Sequence, residues 1–415
     1  MLIIVKEIMK KLKTYKMENK TKTLIFFLDA VREDYITKKH TPFLYKLKKE
    51  NSFLNLVSFL GYSAGIHPSI WSGKYQEELG KFLVYSFDEK SKYFAWMKYL
   101  KIFPQKFRQY FIGFLKIPYY MNFFPKFLLS KWYKKFILPI PASMDPKMAK
   151  YFKIEDKNFR NYFLEILKNN DISYTVQSDR DNANYSKKTD WYLSDKDLDL
   201  FFSWYVDILG HYPGPKSKEL HNKMYDYDKK INFIFNEALK KYSKVNIFIF
   251  SDHGMEEVFG TINVKSILEN SNLVPAKDYI SFYDSTMVRF WVNSDKIKQK
   301  IIKLLSNVDH LNYLDNKLKN KYHINFKDHK WGDLFFLADN GYRIFPDYFS
   351  PVRFNTKGMH GYFPEKTKNA KGIFLTNVFK TRKKEIKIVE ILPTFLKSLN
   401  LSKKIPKDCK GKSVY

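Results

Sequence analysis

The stretch Thr23–Asp29, TLIFFLD, is an apolar run that ends in an acid. Such a run is typical of a strand that is buried on both faces of a parallel sheet. Two later segments, Leu198–Asp207 (LDLFFSWYVD) and Val245–Asp252 (VNIFIFSD), have the same form. Between them, Ser217–Tyr242 carries apolar residues at steps of three and four, which predicts an amphipathic helix with Ser217 as its N-cap.

The alternation of strands and helices predicts an α/β fold with three layers, in which helices cover both faces of a mostly parallel central sheet. In such sheets, ligands bind beyond the carboxyl ends of the strands. We therefore expect Asp29, Asp207 and Asp252 to converge at one edge of the sheet. Weaker patterns predict two further helices and three further strands: helices near 158–168 and 389–399, and strands at 172–176, 287–292 and 334–337.

The composition supports a large folded core. The chain has 415 residues, of which 45% are hydrophobic and 18% aromatic, and this excludes a disordered protein. Lys and Arg number 73 against 43 Asp and Glu, which gives a net charge of +30. That charge is compatible with nucleic acid, an anionic membrane surface, phosphorylated substrates or solubility alone.

Cysteine content and hydropathy bear on the compartment. The single cysteine, Cys409, excludes an intramolecular disulfide and a cysteine-based zinc site. The apolar run after Met1 is too short for a secretory signal, and the chain has no uninterrupted apolar run long enough for a spanning helix. We therefore expect a cytoplasmic protein, with peripheral membrane association as an alternative.

We predict a main domain over 23–400, a basic N-terminal extension over 1–22 and a basic C-terminal tail over 401–415. Within the main domain, 92–144 has ten Lys and Arg, no acid, many aromatic residues and several prolines. This composition predicts a mainly helical insert. Its rings either pack on the sheet domain as a cap or form a lid or membrane-surface patch, since basic helices with aromatic faces bind anionic interfaces.

Two motifs combine a carboxylate with an imidazole. SDHGM places Asp252 and His253 side by side at a strand end, and DILGH places Asp207 and His211 four residues apart. Gly210, within the second motif, is expected to allow a tight turn. A third motif, KGMHGY, places His360 between glycines in a loop.

Together these side chains are the ligands that zinc or another borderline divalent ion prefers. Five other histidines are expected to be structural or merely exposed: His40, His221, His310, His323 and His329.

The segment GYSAGIHPSIWSGKY, Gly61–Tyr75, reads as a strand end, a turn and a helix that begins near His67 or Pro68. Ser63 would then lie near a helix N-terminus, where backbone N–H groups favour phosphate oxygens. A serine hydroxyl is a weak nucleophile unless a base or a metal activates it. The alternative is that Ser63 only caps the helix.

Taken in order, DAVRED, GYSAGIHPSIWSG, DILGH, SDHG and GMHGY resemble the motifs of the alkaline phosphatase superfamily. The resemblance is closest to the type I phosphodiesterase/nucleotide pyrophosphatase family and extends from about Thr23 to Leu399. It implies an alkaline phosphatase-like fold and a hydrolase with two divalent metal ions, usually zinc, with manganese as the alternative.

The resemblance also implies roles for individual residues. Ser63 would attack phosphorus and form a phosphoseryl intermediate, which water then hydrolyses. The implied ligands fall into two sets: Asp207, His211 and His360 for one ion, and Asp29, Asp252, His253 and the Ser63 oxygen for the other.

Two departures bear on the substrate. Many family members have threonine where this chain has Ser63, and many carry an asparagine about twenty residues later that binds a phosphoryl oxygen. Lys81, Tyr85 or a backbone N–H are the candidates to replace that asparagine, and a lysine would favour a more anionic monoester.

We therefore predict a phosphodiesterase or pyrophosphatase acting on a small-molecule or lipid-linked phosphate ester. The alternatives are a phosphomonoesterase of the same superfamily and a non-catalytic protein that binds nucleic acid or a membrane surface.

Overall fold

A computed structural model describes most of the chain: residues 18–104, 107, 111–112, 144, 146–155, 161–179, 189–348 and 356–415. Its strands are, in chain order, β1 Glu18–Leu28, β2 Ser52–Val57, β3 Tyr85–Phe87, β4 Phe152–Ile154, β5 Tyr174–Ser178, β6 Leu198–Ser203, β7 Tyr242–Phe250, β8 Glu256–Glu257, β9 Gly260–Ile262, β10 Tyr279–Tyr283, β11 Met287–Val292, β12 Leu311–Tyr313, β13 Leu334–Ala338, β14 Tyr342–Ile344, β15 Gly358–Met359, β16 Gly372–Thr376 and β17 Glu385–Lys387.

The α-helices are α1 Pro42–Glu50, α2 Ser63–Ser72, α3 Gln76–Leu79, α4 Pro146–Ala149, α5 Asn161–Lys168, α6 Tyr205–His211, α7 Lys218–Lys241, α8 Val264–Glu269, α9 Asp295–Leu305, α10 Asn316–Lys321 and α11 Ile391–Ser398. Short 3₁₀ helices lie at Glu33–Tyr35, Ala95–Ile102, Ile388–Glu390 and Ser402–Lys404.

The central sheet has the strand order β17-β2-β16-β7-β1-β6-β5. Strands β7, β1, β6 and β5 run parallel to one another, as do β17 and β2. Strand β16, which lies between β2 and β7, is antiparallel to both neighbours. The prediction of a mostly parallel sheet is confirmed.

Strand β1 shows why the sheet is covered on both faces. Leu24, Phe26 and Leu28 point into a core with α1 and α7, whereas Ile25 and Phe27 point into a second core with α2, α5 and α11. Successive side chains of a strand face opposite sides, so an unbroken apolar run requires two apolar layers. The predicted three-layer α/β/α architecture is therefore confirmed.

The register of the central strands brings distant acids to one edge. Phe27 pairs with Phe250 across β1 and β7, so Asp29 and Asp252, each two residues further on, follow at the same level. The backbone N–H of Asp29 donates to the Ser203 carbonyl at 3.0 Å and ties the end of β1 to the end of β6. The carboxyl ends of three neighbouring strands thus meet.

The long helix follows the predicted periodicity closely. It spans Lys218–Lys241, and the Ser217 hydroxyl accepts a hydrogen bond from the Leu220 backbone N–H at 3.3 Å. Side chains on one face of α7 are buried against β1 and β7. The predicted N-cap is confirmed.

One predicted strand is too long. The strand predicted for Leu198–Asp207 ends at Ser203, and Asp207 lies in the first turn of α6 rather than at a strand end. The backbone of Trp204 turns to helical angles, with φ −117° and ψ −5°. Aromatic and β-branched residues favoured a strand here, but tertiary context overrides that local preference. Gly210 also lies within α6, not in a turn.

The helix that follows the second strand begins earlier than predicted. It starts at Ser63, not near His67 or Pro68, and Pro68 lies inside it. Gly65 suggested a turn, but the structure uses it for close contact, since a Cβ there would lie 2.1 Å from the Phe82 carbonyl oxygen. Glycine is thus required by packing against a neighbouring segment.

A second, antiparallel sheet has the order β10-β11-β13-β12. Its core includes five residues of the predicted insert: Phe94, Met97, Leu100, Ile112 and Met144. The rest of 92–144 lies largely outside the described residues, so its cap, lid and helical assignments stay predictions. The domain boundaries stay predictions as well, although β1 begins at Glu18 rather than at the predicted start of 23.

Among the described residues, the helices are either too short or too polar to cross a bilayer.

Candidate active site

The most deeply buried part of the candidate site is the pair of acids at the ends of β1 and β7. Asp29 and Asp252 are 1% and 0% exposed. Asp252 Oδ1 accepts hydrogen bonds from the backbone N–H groups of His253 at 3.1 Å and Ala30 at 3.4 Å. The chain direction after β7 therefore fixes this carboxylate against the end of β1.

His253 presents one ring nitrogen to this edge. Its Nδ1 lies 2.9 Å from the Gly254 carbonyl oxygen, which assigns the proton to Nδ1 and leaves a lone pair on Nε2. That Nε2 lies 3.0 Å from Ser63 Oγ, 3.4 Å from Asp29 Oδ1 and 3.3 Å from Asp252 Oδ2. The structure thus brings Ser63, Asp29, Asp252 and His253 together.

These separations are those expected around an ion. Zinc ligands at 2.0–2.1 Å in tetrahedral geometry lie about 3.3 Å from one another. The two carboxylate distances from His253 Nε2 are close to that value, and the Ser63 distance is shorter, within hydrogen-bond range. The residues present therefore fit a divalent metal without rearrangement of the strand ends.

Asp207 and His211 form the second part of the site. They are four residues apart on α6 and share one helix face, with His211 Nε2 3.3 Å from Asp207 Oδ1. His211 Nδ1 lies 2.8 Å from the Gly358 carbonyl, so the proton is on Nδ1 and the lone pair faces Asp207. A helix, and not the predicted strand end, sets this geometry.

His360 joins Asp207 and His211, and the short pairing of β15 with β8 places it there. Met359 pairs with Glu256 across β15 and β8, which places His360 next to the loop that carries His253. His360 Nε2 lies 3.4 Å from Asp207 Oδ1. Its ring stacks on that of His253, with centroids 3.8 Å apart. Gly361 follows at φ +93°, a conformation that side-chain-bearing residues rarely adopt.

The charged side chains of the site shift one another's pKa values. Burial opposes ionisation of Asp207 and Asp252, but neighbouring imidazoles hold the pKa of each carboxyl well below its usual range. Burial lowers the pKa of His211, yet the Asp207 carboxylate outweighs it and raises that pKa. Burial and the nearby His253 lower the pKa of His360 well below its usual value. The site therefore favours carboxylates next to a neutral His360, the state in which both bind metals.

Asp207 Oδ1 and His360 Nδ1 are buried polar atoms that lack a hydrogen bond within the described part of the chain. A buried carboxylate oxygen without a donor is costly in a folded protein. For Asp207 Oδ1, which faces His211 Nε2 and His360 Nε2, an ion would satisfy the oxygen and both imidazoles together.

His67 was missed by the sequence analysis. Its Nε2 lies 2.9 Å from Asp252 Oδ2, and ligand atoms of Asp29, His67 and Asp252 all lie within 4.8 Å of one another. Asp207, His253 and His360 form a similar group. The available signal was the four-residue spacing between Ser63 and His67, which places both on one helix face once the helix is known to begin at Ser63.

The site is open on one side. About a fifth of the Asp207 and His211 side chains is exposed, whereas Asp29 and Asp252 are sealed. A depression adjoins the stacked histidines, and Gly61 and Tyr362 are among its lining residues. The more exposed part of the site is therefore the one that α6 contributes.

Two predicted substitutes for the family's asparagine are engaged elsewhere. Lys81 Nζ lies 3.2 Å from Glu155 Oε2, which also pairs with Lys330. The Tyr85 ring is buried against Phe282, with centroids 5.1 Å apart. Neither contact indicates a role in binding phosphate.

Comparisons with known proteins agree with this arrangement. A profile of the family "Type I phosphodiesterase / nucleotide pyrophosphatase" matches residues 23–363. No curated protein matches significantly in sequence. Human ectonucleotide pyrophosphatase/phosphodiesterase 5 is similar in structure, with a TM-score of 0.59 and 16% identity over 91% of this chain and 94% of that one.

The murine protein of the same name, solved as an inactive variant in complex with AMP, has a TM-score of 0.60 and 16% identity over 92% of this chain and 95% of that one. At 16% identity, the structural similarity shows only that the fold is shared. The profile covers most of the chain, so the protein belongs to the type I phosphodiesterase/nucleotide pyrophosphatase family, whose members hydrolyse phosphodiester and pyrophosphate bonds.

Proposed function

We propose that the protein is a metal-dependent phosphohydrolase that cleaves a phosphodiester or pyrophosphate bond through Ser63. The observation that carries the proposal is the placement of Ser63 Oγ, at the first residue of α2, 3.0 Å from His253 Nε2 and beside two sealed carboxylates. The AMP complex of the murine relative supports a nucleotide as the phosphate-bearing group.

The residues that would hold two divalent ions form two sets. Asp207, His211 and His360 make one, and Asp29, Asp252, His253 and the Ser63 oxygen make the other. Their mixture of imidazole and carboxylate favours zinc, with manganese as the alternative. When bound, such ions supply Lewis-acid stabilisation of the charge that develops on the phosphoryl oxygens and on the serine oxygen.

The protein's own groups position the reaction. Ser63 Oγ gives up its proton to solvent and attacks phosphorus. The bond from phosphorus to the leaving oxygen breaks, and that part of the substrate departs with the oxygen and takes up a proton. The first turn of α2 directs backbone N–H groups and the positive end of the helix dipole towards the phosphoryl oxygens. Water then attacks the phosphoseryl group, which releases a phosphate monoester and restores the hydroxyl.

Purified protein should hydrolyse bis-p-nitrophenyl phosphate when Zn²⁺ or Mn²⁺ is added, and a chelator should abolish turnover. Ser63→Ala should lose this activity. Ser69→Ala is the matched control, because Ser69 lies on the same helix and its buried hydroxyl makes no hydrogen bond to the described residues. Full metal-dependent turnover by Ser63→Ala would contradict the assignment of the nucleophile.

The same preparation separates the alternatives. A phosphomonoesterase would turn over p-nitrophenyl phosphate faster than the diester. A non-catalytic binding protein would hold no metal after zinc loading and hydrolyse neither compound. We expect about two ions per chain and preference for the diester.

A second proposal concerns the insert. The described part of 92–144 exposes a row of large apolar side chains: Tyr99, Ile102, Phe103, Phe107 and Phe111. The rings of Phe103 and Phe107 lie 4.9 Å apart, and the surrounding segment is basic and free of acids. Such a surface suits peripheral contact with an anionic membrane, and with it a lipid-linked substrate.

Vesicle flotation tests this proposal. The protein should float with vesicles that contain anionic lipid and not with neutral ones, and replacing Phe103 and Phe107 by serine should weaken binding. Absence of binding to anionic vesicles would remove the membrane role and leave the hydrolase proposal unaffected. Cytoplasmic localisation stays a prediction.

A further inference from the structure

We infer that His67 is a positioning residue that donates a hydrogen bond to Asp252 and thereby sets the affinity of the metal site beside Ser63. The inference rests on the proposed function, because it concerns an ion that this function requires. His67 itself would touch neither the substrate nor the ion.

The contact is short and sealed from water. His67 Nε2 lies 2.9 Å from Asp252 Oδ2, and the two side chains are 2% and 0% exposed. The His67 ring stands perpendicular to the Phe27 ring, with centroids 5.0 Å apart, and lies 5.2 Å from the Trp204 ring. Aromatic neighbours on two sides therefore hold the imidazole in the orientation that the hydrogen bond needs.

Helix spacing links this contact to the nucleophile. Ser63 and His67 are one turn apart on α2 and share a face of the helix. Ser63 contacts His253, and His67 contacts Asp252, the residue immediately before it. Asp252 and His253, which follow β7, thus each contact one residue of α2. A shift of the helix would disturb both contacts.

Accounting for the hydrogen bonds of Asp252 indicates what His67 does. Oδ1 receives the backbone N–H groups of His253 and Ala30, and Oδ2 receives His67 Nε2. A carboxylate has about four acceptor directions, so Oδ2 keeps a lone pair for an ion on the side of His253 Nε2, 3.3 Å away. The three donors fix the plane of the carboxylate before metal binds.

The geometry distinguishes a hydrogen bond from shared ligation. The other carboxylate–imidazole separations in the site are 3.3–3.4 Å, close to the spacing of two ligands on one ion. The His67–Asp252 separation is shorter and has hydrogen-bond geometry. Outer partners of this kind orient metal ligands, and their loss typically costs about 10- to 100-fold in metal affinity.

The test compares two substitutions in the full chain. His67→Gln keeps an N–H donor near the position of Nε2, whereas His67→Leu fills a similar volume without a donor. Zn²⁺ and Mn²⁺ affinities are measured by competition with a chelator after metal removal, together with ions per chain and the melting temperature of the metal-free protein.

We expect His67→Leu to bind one of the two ions about 10- to 100-fold more weakly, with a metal-free melting temperature close to wild type. Saturating metal should restore most of its turnover. His67→Gln should bind both ions within about threefold of wild type, because a donor alone is what positioning requires. If His67→Leu does not fold, the metal affinity of His67→Gln alone shows whether a hydrogen-bond donor is sufficient at this position.

Two results would overturn the inference. One is wild-type affinity for both ions in a folded His67→Leu protein. The other is weak binding by His67→Gln, which would mean that the imidazole itself ligates. Failure of the proposed function would give a different result. The wild-type protein itself would then bind no ions, or its turnover would not depend on them.

Discussion

Ser63 Oγ and His253 Nε2 lie 3.0 Å apart, although 190 positions separate them in the chain. The contact joins the first residue of α2 to the loop after β7, so the hydroxyl and this ring nitrogen meet where α2 begins and just beyond the end of β7. Because His253 Nδ1 carries its proton towards Gly254, the serine hydroxyl donates to Nε2. Ser63 and His253 are both among the residues that would hold a divalent ion here, and a bound ion would supply Lewis-acid stabilisation of the serine oxygen.

Rapid acid quenching during turnover should therefore trap, on the peptide that contains Ser63, a phosphoryl group that is still esterified to the part of the substrate that has not left. Mass spectrometry of digested wild-type protein checks this, and Ser63→Ala should show no phosphorylated peptide and at least about a thousand-fold lower kcat. Ser63→Thr should remain active, since either hydroxyl can attack. Phosphate found on another residue would argue against Ser63.

Substitution of His360 should reduce the metal content. His360→Ala removes one side chain of the set Asp207, His211 and His360 and should lower the ions retained after gel filtration from about two to about one per chain. The measurement is elemental analysis of the desalted protein. His329→Ala is the control, since that side chain is 81% exposed and should leave the metal content unchanged. Equal metal content in both variants would place His360 outside the metal site.

The sheet could be predicted from the sequence, because each of the strands β1, β6 and β7 is visible as a run of mainly apolar residues. The convergence of Asp29 and Asp252 followed from parallel pairing alone. The helical placement of Asp207 did not, because Trp204–Val206 is as suitable for a strand as for a helix, and only packing decides.

The role of His67 was also beyond the sequence. A histidine followed by a proline is not a distinctive sequence pattern. His67 shares a helix face with Ser63 only because the helix begins one turn earlier than Pro68 suggested. The β15–β8 ladder that positions His360 has two residues in each strand, too few for a periodic signal.

Removal of the N-cap of α7 should destabilise the protein without touching the site. Ser217→Ala deletes the acceptor for the Leu220 N–H group and should lower the free energy of unfolding by about 1 kcal/mol. Ser217→Asp, which restores an acceptor and places a negative charge at the helix N-terminus, should recover the loss. Chemical denaturation checks both variants, and no difference between alanine and aspartate would show that the cap contributes little.

Asp284 should make stability depend on pH. Its carboxylate is fully buried and accepts a hydrogen bond from Arg289 Nε at 2.7 Å. Burial raises the pKa of Asp284 from 3.8 to about 6 despite the opposing effect of Arg289. The folded protein then holds this proton more tightly than the unfolded chain, so the stabilisation is complete below about pH 4 and is lost as the pH rises through 6.

Two pKa units correspond to about 3 kcal/mol, so between pH 4 and pH 7 the wild type should lose about that much stability relative to Asp284→Asn, which cannot titrate. The measurement is the free energy of unfolding in urea at several pH values in this range. The two proteins are compared by the slope of that free energy against pH, because Asp284→Asn also leaves Arg289 without its charged partner and so changes the absolute stability. Parallel slopes would mean that Asp284 stays ionised throughout and that the ion pair with Arg289 outweighs burial.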